Sequence, residues 1–310
     1  MDKRGLTFNF AWIFAILVGA VIIFLSIYGI TKLIGTERQI SDTEAGKQIG
    51  ILLNPIETSI GSAKVSKILM PIETRLYNDC ELDGNFGSQG ISVATKSGFL
   101  KKWDEPGVIS KFKNKYVFSE KVLQGDEFIA FSKPFEMPYK VADIIYLWDD
   151  NQKYCFVKPP ISIKEEINSL KPSGINISED IRFCPKESKK VCFENSGCDI
   201  DVSMNSGNVV KNWTTIHYEG EALLYAAIFS SSEIYECQVK RLMKRTSELA
   251  LLYSLKAQYL NSKGCSTNLE TDMLLFSNNT EIQSSSELRD INILAETIKE
   301  KNSLLKCRLF

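Results

Sequence analysis

The sequence predicts an α+β protein built from an N-terminal transmembrane helix, a β-rich extracytoplasmic domain and a C-terminal antiparallel helical hairpin. Three observations carry this expectation. Phe10 to Ile30 is an uncharged apolar run, the middle of the chain alternates apolar and polar residues between turn signals, and its last part holds two stretches with apolar residues at 3/4 spacing. The expected divisions are a cytoplasmic tail over 1–9, a membrane helix over 10–31 and a juxtamembrane amphipathic helix over 32–65. A β-rich α+β region over 66–230 follows, with the hairpin over 231–310 packed on the same domain.

From Gly5 to Thr31 no side chain is charged, and within Phe10 to Ile30 only Trp12, Ser26 and Tyr28 offer polar groups. As a helix this run rises roughly 30 Å, the thickness of a bilayer's hydrocarbon core. A lone spanning segment has to be helical, because lipid offers its backbone groups no other partners. Cleaved export signals are shorter and end in a small-x-small site, which Ser26-Ile27-Tyr28-Gly29 supplies poorly, so the segment is expected to stay in the bilayer as an anchor. Lys3 and Arg4 place the short tail in the cytoplasm. Outside, Ile49, Leu52, Leu53, Ile56 and Ile60 form an amphipathic stripe that Pro55 bends or ends.

In the middle, "PIET" occurs at 55–58 and 71–74, and the second copy sits in the strand-like alternation of Ile68, Met70, Ile72, Thr74 and Leu76. "KYVFSEK" and "EFIAFSK" about Gln124-Gly125 predict one hairpin, and "DIIYLW" and "KYCFV" about "DDNQ" another. Ser162-x-x-Glu165 opens a short helix to about Leu170. Further strands are expected in "EDIRFC", "KVCFEN", "CDIDVSM", "NWTTIHY" and "EALLYAAIF".

Tyr235, Val239, Leu242, Thr246, Leu249, Tyr253, Ala257 and Leu260 predict a long helix over 231–262, opened by the capping box Ser230-x-x-Glu233. Leu288, Ile291, Ala295, Ile298, Asn302 and Leu305 predict a second after Ser284-x-x-Glu287. A loop near 263–283 would set the two antiparallel and bring Cys237 and Cys307 to one end as a disulfide. Asn302, inside an apolar stripe, then needs a buried partner.

All eight cysteines follow the membrane segment, with no Cys-x-x-Cys and a single histidine, so paired cysteines in an oxidising compartment are expected. Cys184 with Cys192 would close a turn over "PKESKKV", and Cys80 with Cys155 and Cys198 with Cys265 follow only by elimination.

Charge is balanced, 37 Lys+Arg against 38 Asp+Glu, which argues against a nucleic-acid partner, and Lys101, Lys102, Lys111, Lys113 and Lys115 read as a solvated face. Asp199-x-Asp201-x-Ser203-x-Asn205 resembles the alternating oxygens of a calcium loop without its central glycine and closing glutamate. "GNFGSQG", 84–90, lacks the Gly-Lys-Ser/Thr of a phosphate cradle and reads as a flexible loop. His217 has no Gly-x-Ser-x-Gly elbow to serve, so no catalytic residue and no cofactor is expected; a carboxylate pair is the hydrolytic chemistry that the composition leaves open. Asn176, Asn212 and Asn278 open Asn-x-Ser/Thr sequons for N-glycosylation on an exported domain.

Two resemblances bear on location. Through "FAWIFAILVGAVIIFLSIYGITKLI", "ILLNPIET", "PFEMPYKVADIIYL" and "LLYAAIFSSSEIYECQVKRLMKR" the chain resembles a family of uncharacterised single-pass membrane-anchored proteins of small-genome archaea, which implies an anchor and no activity. Lys3-Arg4-Gly5 before the apolar run also resembles the stem of a type IV pilin, cut after the glycine. Where that family carries glutamate, five residues beyond the cut, this chain has Phe10 after Asn9. The expected function is binding or scaffolding in the cell envelope, the alternatives being an envelope hydrolase and a pilin-like filament subunit.

Overall fold

An apolar helix continues where its composition turns polar if the next residues are tolerated in helices and no proline intervenes. The computed structural model, which describes residues 10–53, 65–96, 103, 105–193 and 197–310, shows this for α1, one helix of 43 residues over Phe10–Leu52. The part Phe10–Leu33 is long and apolar enough to cross a membrane, with mean hydropathy 2.8. The separate juxtamembrane helix expected over 32–65 is therefore a continuation of the same helix, as far as Leu52. The tail 1–9, the first "PIET" with Pro55, and Lys101 and Lys102 lie outside the described residues.

Strands β1 (Ser66–Glu81), β2 (Ser88–Thr95), β3 (Ser110–Phe112), β4 (Val117–Phe118), β5 (Val122–Glu136) and β6 (Lys140–Asp149) form one sheet in the order β3-β2-β1-β5-β6-β4. All its pairs are antiparallel except β4 with β6. Alternation along the strands feeds two cores. Ile129 and Phe131 of β5 and Tyr146 and Trp148 of β6 face the main core, while Phe128, Ala130, Ile145 and Leu147 face a second one closed by Ile49 of α1 and by Leu53 just past its end. The C-terminal end of α1 is thus part of the domain's interior, and burying each of those two side chains contributes about 1.5–3 kcal/mol.

The second sheet has the order β12-β11-β10-β9-β7-β8, from β7 (Tyr154–Val157), β8 (Ile175–Ser178), β9 (Lys189–Cys192), β10 (Ile200–Ser203), β11 (Asn208–Lys211) and β12 (Thr214–His217). Its β8-β7-β9-β10 portion is parallel. Helix α2 (Ile161–Leu170) forms where it was expected, though without a side-chain cap bond at its N-terminus, and it connects β7 to β8, a strand that was not expected.

Neither expected hairpin forms. Gln124-Gly125 lies inside β5, because the Asp149 carboxylate accepts the Gln124 N–H (3.2 Å) and the backbone stays extended beside it. "DDNQ" is a turn, closed by Asn151 and Gln152 N–H groups donating to Asp149 Oδ1 (3.1 Å each), yet it passes the chain from one sheet to the other. Within "EDIRFC", Ile181–Phe183 form a 3₁₀ turn capped by Asp180. "EALLYAAIF" forms helix α3 (Gly220–Phe229), not a strand: an unbroken apolar run has no period of two, and Leu223 to Phe229 are all buried as a core helix.

Helix α4 (Ser232–Ser262) matches the expected span, with Ser231 rather than Ser230 accepting at its N-terminus, from the Ile234 N–H. The capping box Ser284/Glu287 forms ahead of α6 (Leu288–Leu304). The antiparallel hairpin does not. The expected loop contains helix α5 (Glu270–Asn279), which runs back along α4: Glu270 bonds Gln258, Ser277 bonds Ser247, and the next turn reaches Glu236 through Ser285. Helix α6 then runs parallel to α4, and its end meets the end of α4.

That path corrects every expected disulfide. Cys307 reaches Cys265, not Cys237; Cys237, facing the first sheet, bonds Cys80 on β1. Cys155 pairs with Cys184 and Cys192 with Cys198, so Cys184–Cys192, Cys80–Cys155 and Cys198–Cys265 do not form. The first of these two bonds ties β7 to the chain just past the 3₁₀ turn, the second joins the end of β9 to Cys198 ahead of β10, and with Val157 they make a small apolar cluster. Asn302 has the buried partners it needs: its Nδ2 donates to Phe310 O (2.7 Å) and its Oδ1 accepts the Leu309 N–H (2.6 Å), which fastens the C-terminus.

Candidate functional site

Oxygens that alternate along a strand bind a cation only if the backbone does not use them first. Asp199 accepts the Lys190 N–H (2.8 Å), and Asp201 accepts the N–H groups of Gly197 (2.8 Å) and Cys198 (3.0 Å). Cys192, Cys198 and Asp201 come within 4.8 Å of one another, but the two sulfurs are bonded together and offer no thiolate. This corner is a closed turn. His217 holds the chain through its backbone, donating to Ser285 Oγ (2.9 Å) and accepting from the Tyr235 hydroxyl (2.6 Å). Segment 84–90 is pinned rather than flexible: Phe86 O accepts from Arg241 (3.1 Å), and a Cβ at Gly87 would collide with Glu81 O. Asn176, Asn212 and Asn278 are all exposed.

Carboxylates converge where Lys133 Nζ donates to Glu166 (2.8 Å) and Glu221 (3.0 Å), beside Tyr225. The lysine pairs with both, and although burial pushes the Glu221 carboxyl up, hydrogen bonds from Ser162 and Lys133 outweigh it and hold that group below the ordinary carboxylate range. The three groups form an ion-pair network that links β5, α2 and α3.

Lys211 is buried at the C-terminal end of α3, donating to Ala227 O and Ser230 O. Burial pushes its pKa down to about 7, Glu120 opposing and Lys189 adding to the shift. Because the folded chain holds this proton less tightly than the unfolded one, stability rises with pH from about 7 towards the unfolded lysine value near 10.4, by at most about 1.4 kcal/mol per pH unit. No thiol titrates in that window. Denaturant midpoints between pH 7.5 and 9 should climb for the native chain and stay flat for Lys211→Met. An equal climb in both would refute the assignment.

Two concavities stand out among the described residues. A shallow crevice of about 910 Å³ lies at the carboxyl ends of β7, β9 and β10, bounded by Pro160, Phe193, Ser203 and Asn208. A groove of about 570 Å³, mostly apolar, lies between the outer end of α1 and the irregular stretch of β1 between Leu69 and Thr74. Its walls are Ala45, Gln48, Ile49 and Leu52 on one side and Ile68 to Ile72 on the other. The helix is fixed there by polar contacts: Asp42 accepts from Thr95 N–H (3.2 Å) and hydroxyl (2.9 Å), and Thr43 Oγ1 accepts the Val108 N–H (2.9 Å). Gly50 lets the Phe112 ring touch the helix backbone, since a Cβ would run into that ring. This junction is the candidate site.

Comparison with protein-family models, with curated proteins and with solved structures returns no match. The reading therefore rests on the chain's own geometry. Sequence reasoning missed Asp42, Lys211 and Arg241. The signal for Arg241 was there, because Gln238 and Arg241 lie beside the apolar stripe of α4 at the same helical spacing.

Proposed function

We propose that the protein is a single-pass envelope protein whose disulfide-bonded α+β domain stands outside the cytoplasmic membrane and binds or scaffolds other envelope components. The observation that carries this is the continuity of α1, apolar from Phe10 to Leu33 and built into the domain from Asp42 to Leu53. From Leu33 to Asp42 the helix rises about 14 Å, so the domain is held at a set height above the bilayer rather than on a flexible tether. Four disulfides fit an oxidising compartment, and Lys3 and Arg4 favour a cytoplasmic N-terminus. The junction groove then presents an apolar surface close to the membrane, where a partner held in the same bilayer would meet it.

The same continuity favours one second reading. A filament subunit also needs an apolar helix fixed to its domain, with the exposed length packed among neighbouring helices. One experiment addresses both. Protease applied to intact cells should remove the domain and leave a membrane-bound stub whose mass retains Met1 or Asp2. Digestion only after lysis would refute the topology, and a stub starting at Leu6 would replace the anchor with the filament subunit.

A further inference from the structure

One face of α1 belongs to the domain, carried by Asp42, Gly46, Ile49 and Leu53, all buried. Among the described residues, nothing packs on another. At 3.6 residues per turn, a seam through Ala15, Gly19, Ile22, Ser26 and Gly29 lies roughly 170° around the helix from the docked face. Its steps alternate between four and three residues, the 3.5-residue period of two helices wound about each other. The same steps run on beyond the span to Leu33, Thr36 and Ile40, where Ile40 is 65% exposed on an otherwise polar stretch. Small side chains let two backbones approach in lipid, and the branched ones fill the space above.

The charges select the occupant. In this register Lys32 flanks the seam at the position that faces Glu37 on a parallel neighbour. Both are exposed, and among the described residues neither has an ion-pair partner. Two copies of a single-pass chain enter the membrane in the same direction, so parallel is the arrangement open to them, and symmetry then makes the Lys32–Glu37 contact twice. We propose that α1 pairs in parallel with α1 of a second copy along this seam, the two domains lying on the outer sides of the helix pair. The inference rests on the anchor reading.

All eight native cysteines are paired, so one introduced cysteine is the only free thiol in the full-length chain. In native membranes washed with alkaline carbonate, mild oxidation should give covalent dimers from Gly29→Cys, Leu33→Cys and Ile40→Cys, at several-fold higher yield than from Thr31→Cys and Ser41→Cys on other faces. Lys32→Glu should lower the Ile40→Cys yield several-fold, and adding Glu37→Lys should restore it. Equal yields around the helix, ladders beyond the dimer from several faces, or no rescue by the double reversal would overturn the pairing while leaving the anchor intact. Release of the protein by the carbonate wash would overturn the anchor and the pairing together.

Discussion

Arg241→Met lowers the stability of the folded chain by about 3–5 kcal/mol, the loss expected when a buried, fully hydrogen-bonded charge is removed from its acceptors. Arg241 is 0% exposed and, among the described residues, no carboxylate pairs with it. Its guanidinium instead donates to the carbonyls of Phe86 (3.1 Å), Lys113 (3.1 Å) and Lys115 (2.9 Å) and to Gln238 Oε1 (2.7 Å), and lies 4.7 Å over the Tyr116 ring. Gln238 passes the network on: its Nε2 donates to Gln89 Oε1 (2.6 Å), whose own amide bonds Asn78. Burial pulls the guanidinium pKa down to about 10, so it stays charged at neutral pH at a desolvation cost that its donors offset.

Methionine has similar length and no donor, and it leaves the buried Lys115 carbonyl and Gln238 Oε1 without their donor. Lysine keeps the charge but concentrates its donors at one point, so Arg241→Lys should recover only part of the loss. Denaturant midpoints with unchanged slope measure the effect, and amide exchange at Val117 should accelerate, since the Val117 N–H is held by Gln89. A change in Arg241→Met below about 1 kcal/mol would show that the network is not what joins α4 to the first sheet.

What was legible in the sequence follows a physical divide. Elements specified by their own residues were found with near-correct ends: the apolar span in α1, the helical spacing in α4 and α6, and the Ser284/Glu287 box. Elements decided by what they pack against were not. Leu223 to Phe229 is apolar on every side, and only a surrounding core makes it a helix. Gln124-Gly125 has hairpin residues but lies extended because Asp149, distant in sequence, takes its N–H.

Helix α5 was the costliest miss. Its "ETDMLLFSNN" has little apolar period, yet by returning the chain along α4 it reverses the direction of α6 and changes the disulfide partner of both Cys237 and Cys307. The junction site was half legible, since the stripe of Ile49 and Leu53 was read, while Asp42 reaching Thr95 across the fold leaves no local signal.

The Cys80–Cys237 bond should contribute more to stability than any of the other three. It closes a sequence separation of 157, against 42, 29 and 6 for the others. In the chain-entropy model its removal destabilises by about 5 kcal/mol, compared with about 2.4 kcal/mol for Cys192–Cys198. Its position adds to the length effect. Cys237 precedes Gln238 and lies one helical turn from Arg241, while Cys80 lies two residues beyond Asn78 on β1, so the bond clamps the two elements that the buried polar network joins. Without it the network must hold α4 on the sheet against a larger denatured-state entropy, and because the clamp sets the network's geometry, loss of the two together falls short of the sum of the separate losses. The double variant Cys80→Ser/Cys237→Ser, compared with Cys192→Ser/Cys198→Ser by thermal and denaturant unfolding, tests the ranking. Peptide mapping without reductant should first recover the Cys80 and Cys237 peptides joined to each other. Joining of Cys237 to Cys307 would restore the antiparallel register and remove α5 from between the helices, and a smaller loss for Cys80/Cys237 than for Cys192/Cys198 would show that loop closure is not the source of the stabilisation.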